Sequence, residues 1–275
     1  MNGLYDRALS KQARSGVDAA PDKAHNFTPE TAQKPIPTTI GMIRESFLAS
    51  MAADYAPCAL TRCCAAARRA SHWHAMKLWY APTSPFARKV RIAAHELGLS
   101  NRMGLLKVDP WTDPRLRALN PLAKVPTLEL SDGSALYESA LICEYLDAQA
   151  EPPRLFPAPG PARWHTLLRQ GLADGAAAAA GRLFAERRKP DSERVPGMEE
   201  RFQQAIDAAL DALEKDVPPF GDPLIGDIAA AAFIGYLDFR FPGTGWRATR
   251  LKLSAWFDVF SARPSMLETT HRAAS

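Results

Sequence analysis

Five prolines and a glycine crowd residues 151–161: Pro152, Pro153, Pro157, Pro159, Gly160 and Pro161. Proline fixes φ and lacks an amide donor, so neither a helix nor a central strand runs through such a stretch. It reads as a linker. The residues on its two sides follow different periods, and that contrast limits the folds open to the chain.

Upstream, the pattern alternates. Met76 to Tyr80 is a short apolar strand. Ser84 to Gly98 reads as a helix: Pro85 suits its first position, Gly98 its end, and Phe86, Val90, Ala93, Ala94 and Leu97 share one face. Met103 to Val108 is a strand and Asp113 to Leu119 a short helix or turn. Val125 to Leu130 and Ala135 to Tyr137 are strands joined by the turn Ser131-Asp132-Gly133-Ser134. Ser139 to Gln149 is a helix whose buried side carries Leu141, Ile142, Tyr145 and Leu146. Downstream, everything reads helical: Ala162 to Arg188, Gly197 to Val217, Ile225 to Phe239 and Leu251 to Ala262, with Pro264 as a stop. Ile225 to Phe239 is apolar on nearly every face and is expected to be a buried central helix. The expected fold is an α/β domain over 76–150, the 151–161 linker, and an all-α domain over 162–275.

Residues 1–75 differ. Pro21, Pro29, Pro35 and Pro37 punctuate a polar stretch that reads as a disordered extension, with one short helix possible at Ile43 to Leu48. The segment around Cys63, Cys64, Arg68 and Arg69 is basic, but the amino end lacks the apolar core of a signal peptide. Met76 begins the regular pattern, and we read the preceding residues as an over-long start. Cys63, Cys64, His72 and His74 lie close in sequence, but their spacing fits no zinc pattern, so no metal is expected.

The formal charge is +4, with 47% hydrophobic and 23% charged residues. The basic excess sits mainly before Met76: 9 basic against 6 acidic residues there, 25 against 24 afterwards. No basic stripe interleaves with aromatics, which argues against nucleic acid. No apolar run reaches the roughly 18 residues of a membrane span. Cys143, the one cysteine after Met76, falls in a helical pattern and reads as core.

The chemistry concentrates in the run from Met76 to Leu99. A strand feeds a turn that ends in Thr83-Ser84-Pro85 at a helix mouth. Unpaired N–H groups and the helix dipole favour an anion or a thiolate there. The simpler role for Ser84 is an N-cap, worth about 1 kcal/mol.

From Met76 onward the chain resembles a bacterial glutathione S-transferase. Four pieces carry the resemblance: the active-site turn Thr83-Ser84-Pro85-Phe86-Ala87-Arg88-Lys89-Val90, the segment Asn120 to Leu128, the pair Glu138-Ser139, and the carboxyl-terminal stretch around Gly235 to Arg240 with Trp256-Phe257 and Arg263-Pro264-Ser265-Met266. The resemblance implies a thioredoxin-like first domain and a helical second one. It implies a soluble, cytoplasmic, homodimeric detoxification enzyme that activates glutathione, its co-substrate, as a thiolate and adds it to an electrophilic, mostly apolar small molecule. Metal and nucleotide are not implied.

In that scheme Ser84 holds the thiolate, with Thr83 as the alternative one residue away. Val125, before a cis Pro126, pairs its backbone with the cysteinyl part of the tripeptide. Ser139 caps its helix and binds the γ-glutamyl carboxylate, Glu138 meets the ammonium, and Lys124 the glycine carboxylate. Trp164, Leu168, Asp174 and Phe184 are candidates to line or border the second substrate, and the small side chains of Ala176 to Ala180 suit either a bulky ligand or close helix packing. The rival readings are a non-catalytic glutathione-binding or protein-interaction module, and a glutathione-dependent isomerase or dehalogenase. One departure stands out. The family usually places Ser or Thr three residues before the central helix's Asp, and here Leu224 precedes Asp227. Asp227 capping alone, or Asp222 taking over, are the two substitutes in view.

Overall fold

A computed structural model describes residues 76–273. The expectations for the extension, for a start at Met76 and for Cys63, Cys64, His72 and His74 lie outside the described residues.

The first half forms a four-stranded sheet flanked by helices. Strands β1 (Met76–Tyr80), β2 (Met103–Lys107), β3 (Thr127–Glu129) and β4 (Ala135–Tyr137) stand in the order β2-β1-β3-β4. β1 and β2 run parallel in the register Leu78↔Leu105, while β3 is antiparallel to both β1 and β4. A parallel pair needs a crossover, and helix α1 (Pro85–Glu96) supplies it. Because successive strand residues face opposite ways, Leu78 joins the main core while Trp79 packs with Val108 and Leu116 on the other face. The short helix α2 (Pro114–Leu119) covers that second cluster and is capped by Asp113, whose carboxylate accepts from the Arg115 N–H at 3.0 Å. Helix α3 (Ser139–Ala148) follows the hairpin.

The helical half comprises α4 (Pro161–Arg187), α5 (Met198–Lys215), α6 (Ile225–Arg240), the short α7 (Trp246–Thr249), α8 (Leu251–Ser261) and α9 (Pro264–Glu268). Helix α6 is buried continuously from Ile225 to Leu237, as its all-round apolar pattern predicts. It lies against α4 and α1, and this second contact explains why α1 is buried beyond its expected stripe. Ile92 is fully buried, as are Arg88 and Lys89 within a few per cent. Ala173, Ala176, Ala177 and Ala180 of α4 are buried, so these small side chains serve close packing. Ala178 instead faces a cavity.

Three local expectations are corrected. Ser139 does not cap α3: Glu138 holds the cap position with φ 72°, without a side-chain hydrogen bond, and Ser139 is the first helical residue. Leu141 is 50% exposed rather than buried, because the buried apolar side chains of α3 are Ile142, Cys143 and Leu146. Pro264 stops α8 as expected, and in addition it starts α9. The third strand begins at Thr127, beyond the cis Val125–Pro126 bond, and is shorter than its apolar run.

The start of α6 resolves the missing cap. Asp227 accepts from the Leu224 N–H at 2.9 Å, and the Gly226 N–H donates to Thr166 Oγ1 of α4 at 3.0 Å. A hydroxyl from another helix thus does what residue 224 cannot, and Asp222 takes no part in either bond. Only glycine fits at 226: a Cβ there would lie 2.5 Å from the Thr166 carbonyl oxygen and 2.9 Å from its hydroxyl. Gly226→Ala is therefore expected to push α4 and α6 apart and cost about 2 kcal/mol, read as a lower urea midpoint at unchanged slope.

Candidate functional site

The turn after β1 is closed by the Ser84 N–H donating to the Ala81 carbonyl at 3.0 Å. Ser84 is the N-cap of α1 and its Oγ accepts from the Ala87 N–H at 3.2 Å. That is the capping geometry its position predicts. A hydroxyl has two acceptor lone pairs and one proton, so accepting from Ala87 leaves the O–H free to donate elsewhere.

The segment after α2 is shaped by Asn120, which its motif alone does not single out. Asn120 is fully buried, and its Nδ2 donates to the Lys124 carbonyl (3.1 Å) and to Thr127 Oγ1 (2.9 Å). Its Oδ1 accepts from the Leu122 N–H at 3.0 Å, and Thr127 Oγ1 donates to the Lys124 carbonyl at 2.8 Å. These bonds fold residues 120–127 into a tight bend, with Ala123 at φ 49°, that leads into the cis Val125–Pro126 bond. Neither the N–H nor the C=O of Val125 has a hydrogen-bond partner among the described residues. An extended peptide could pair with both.

Lys124, Val125, Pro126, Glu138 and Ser139 all line one cavity of about 690 Å3. This is an ordinary size for a small-molecule site. Thr83 and Ser84 do not line it; their helix reaches it through Phe86, two residues on. Of the four residues considered for the second substrate, Asp174 alone lines this cavity. Trp164 and Leu168 are exposed on α4, and Phe184 stacks under the Arg240 guanidinium at 4.0 Å.

Two lining residues went unforeseen. Trp111 is 91% exposed in a loop held by Asp109, whose Oδ1 accepts its N–H at 3.0 Å. Arg117 lies on α2. A lone aromatic between turn residues gives no periodic signal, so only the folded loop reveals Trp111 as part of a wall.

The cavity lining carries both signs of charge. Lys124 and Arg117 supply cations, and Glu138 and Asp174 carboxylates. Asp174 is tied from below by Lys89, whose Nζ lies 2.6 Å from Oδ2 and which is itself 1% exposed. Burial pushes the Asp174 carboxyl above its usual range, the Lys89 ammonium pulls the other way, and Glu138 pushes it up further. Lys89 is thus paired with Asp174, and Glu138 adds a second carboxylate to the same cavity. Cys143 is no nucleophile: burial raises its thiol to about 12.

A thioredoxin-like sheet joined to a helical half, with a hydroxyl at the mouth of α1 and a cis-proline bend lining a cavity that holds both signs of charge, defines a glutathione-transferase-type protein. The sequence comparisons agree. Residues 83–149 match the glutathione S-transferase N-terminal domain and residues 193–258 the C-terminal domain. A glutathione transferase family member from Pseudomonas fluorescens, solved with bound glutathione, is 35% identical with a TM-score of 0.68, over 72% of this chain and all of that one. A glutathione S-transferase from Methylobacterium radiotolerans, in complex with glutathione sulfonate, is 33% identical with a TM-score of 0.67, over 73% of this chain and 96% of that one. The uncharacterized GST-like protein YibF of Escherichia coli is 29% identical over 199 residues, 70% of this chain and 98% of its own. The chain belongs to the glutathione S-transferase family.

Proposed function

We propose that the protein binds glutathione in this cavity and conjugates its sulfur to an electrophilic, mostly apolar small molecule. The observation that carries the reading is the convergence of Lys124, Val125, Pro126, Glu138 and Ser139 on one cavity whose lining holds both cations and carboxylates. Glutathione has one ammonium and two carboxylates, and a lining with both signs of charge complements them. Glu138 takes the ammonium, Ser139 and the free N–H groups at the start of α3 take the γ-glutamyl carboxylate, and Lys124 takes the glycine carboxylate. The Val125 backbone pairs with the cysteinyl residue. Two relatives solved with glutathione or its sulfonate support this choice of ligand. Phe86, Trp111 and Leu122 offer apolar surface to the acceptor.

Ser84 supplies the hydroxyl proton to the thiolate and the α1 dipole adds to it, which lowers the thiol's pKa toward working pH. A hydrogen bond to a charged group is worth about 1.5–3 kcal/mol, so Ser84→Ala is expected to lower kcat/KM by roughly 10- to 100-fold. Retention on immobilised glutathione should survive that change. If Thr83→Ala shows the loss and Ser84→Ala does not, the hydroxyl role belongs to Thr83. Retention on glutathione without turnover of any member of a broad electrophile panel would instead mark a binding module, and no retention would sink both readings.

We also place the protein in the cytoplasm as a homodimer. Leu141 on α3 and Trp164 and Leu168 on α4 are exposed by 50%, 70% and 73%. The Arg163–Glu144 ion pair at 2.5 Å links these two helices, and these exposed apolar residues are the surface we assign to contact with a second copy. Analytical ultracentrifugation is expected to give twice the chain mass.

A further inference from the structure

We propose that His271 is a positioning residue for the turn that carries Thr83 and Ser84, so that the tail after the last helix is part of the active site; this rests on the thiolate role given above to that turn. The tail folds back onto the start of α1. Arg88, buried to 7%, donates through Nη2 to the Met266 carbonyl at 3.2 Å and through Nε to Thr269 Oγ1 at 3.5 Å. Arg91 Nη2 donates to the Glu268 carbonyl at 3.1 Å. These bonds deliver His271 beneath the turn, where its Nδ1 lies 3.1 Å from the Pro82 carbonyl oxygen.

A carbonyl only accepts, so Nδ1 carries the proton. The ring cannot drift. It is 8% exposed, stacked on Phe239 at 5.1 Å and 19°, and met edge-on by Tyr236 at 5.7 Å. The peptide between Pro82 and Thr83 is planar, so fixing the carbonyl fixes the Thr83 N–H on its far side and the direction in which the chain enters Ser84. Burial and the charges of Arg88, Arg240 and Arg91 hold the ring neutral, with a pKa of about 4, so the bond persists throughout the range in which a glutathione thiolate forms.

The site described above does not use His271 otherwise, and its Nε2 is buried without a partner among the described residues. A ring that served packing alone would be replaced by phenylalanine, which keeps the stack and removes a buried polar atom. A donor aimed at the one carbonyl next to Thr83 is what positioning requires.

The test compares His271→Phe, which keeps the aromatic stack but not the donor, with His271→Gln, which restores a donor, in the full chain. Three readouts apply: kcat and KM separately, the pH at which enzyme-bound glutathione gains thiolate ultraviolet absorbance, and hydrogen exchange at the Thr83 and Ser84 amides. A neutral hydrogen bond contributes about 1 kcal/mol, which as a rate is about 5- to 10-fold. His271→Phe is expected to lower kcat by that factor with KM within twofold, to raise the bound thiol's apparent pKa, and to speed exchange at both amides. His271→Gln should recover most of each. Unchanged kcat and thiol pKa in a folded His271→Phe overturn the proposal, as does an equal loss in both variants. If the unsubstituted protein binds glutathione without lowering its thiol pKa, the Ser84 reading fails and amide exchange alone decides the role of His271: faster in His271→Phe supports positioning, unchanged rejects it.

Discussion

Asp227→Ala is expected to lower the unfolding free energy by about 4 kcal/mol, seen as a large fall in the urea midpoint. Asp227 is 2% exposed and does two jobs at the buried mouth of α6. One oxygen accepts from the Leu224 N–H at 2.9 Å, and the other meets Arg169 Nη1 at 2.7 Å. Removing one partner of a buried ion pair costs about 3–5 kcal/mol because the other charge stays behind. Arg169 is 5% exposed and would keep only Asp216, at 2.9 Å, which is itself 56% exposed. Loss of the cap adds about 1 kcal/mol and the remaining Asp216 contact takes some back.

The ion pair carries a desolvation cost of its own. Burial raises the Asp227 carboxyl first, against the opposing pulls of the Leu224 N–H and Arg169. Replacing both residues together, as Arg169→Met with Asp227→Leu, should therefore recover more than half of the loss. A double variant as unstable as Asp227→Ala would show that capping, not stranded charge, dominates.

Acidification gives the second large effect. The folded protein holds the His271 ring neutral down to about pH 4, while the unfolded chain protonates near 6.5. Between those values the unfolded state binds about one proton more than the folded state, so stability rises with pH there and falls on acidification. Over the whole window this amounts to about 3 kcal/mol. The groups facing the ring explain the shift: Arg88 and Arg91 from α1, Arg240 from α6, and Pro82 with only a carbonyl to offer. Glu96 also weakens the fold in acid, since against the upward push of burial Arg263 and Ser265 hold its carboxyl low, but that contribution is the same in the parent and in His271→Phe. Urea titrations between pH 4 and 6.5 should show a slope for the parent that His271→Phe lacks. Parallel slopes would mean that His271 is protonated in the folded state.

Much of this architecture was legible in the residues because it is written locally. Pro85 and Gly98 bracket α1, Ser131 to Ser134 turns the hairpin, and the unbroken apolar pattern of α6 announces its depth. The expected cis bond before Pro126 is present, and the candidate residues from Lys124 to Ser139 share one cavity. What stayed hidden depends on partners distant in sequence. Thr166 caps a helix that begins 60 residues later, so no inspection of Leu224 and its neighbours could find it. Ile92 lies off the apolar stripe of α1, yet it is fully buried. The backbone of Glu138 takes up a left-handed φ that displaces the cap from Ser139, a choice no periodicity encodes. Trp111 and His271 are single residues outside any repeating pattern, and each gains meaning only from what it touches.

The contact between His271 and Pro82 also has a temporal side. Its two ends are 189 residues apart in the chain. Ribosomes add about 5–20 residues per second, so some 10–40 s pass between the synthesis of the turn and of its anchor. During that interval β1 and α1 can pair with β2, yet the Pro82 carbonyl has no imidazole to meet. A nascent chain halted before residue 271 would therefore carry Ser84 on a turn whose Pro82 carbonyl still lacks its anchor, and that contact would form as one of the last events of its making.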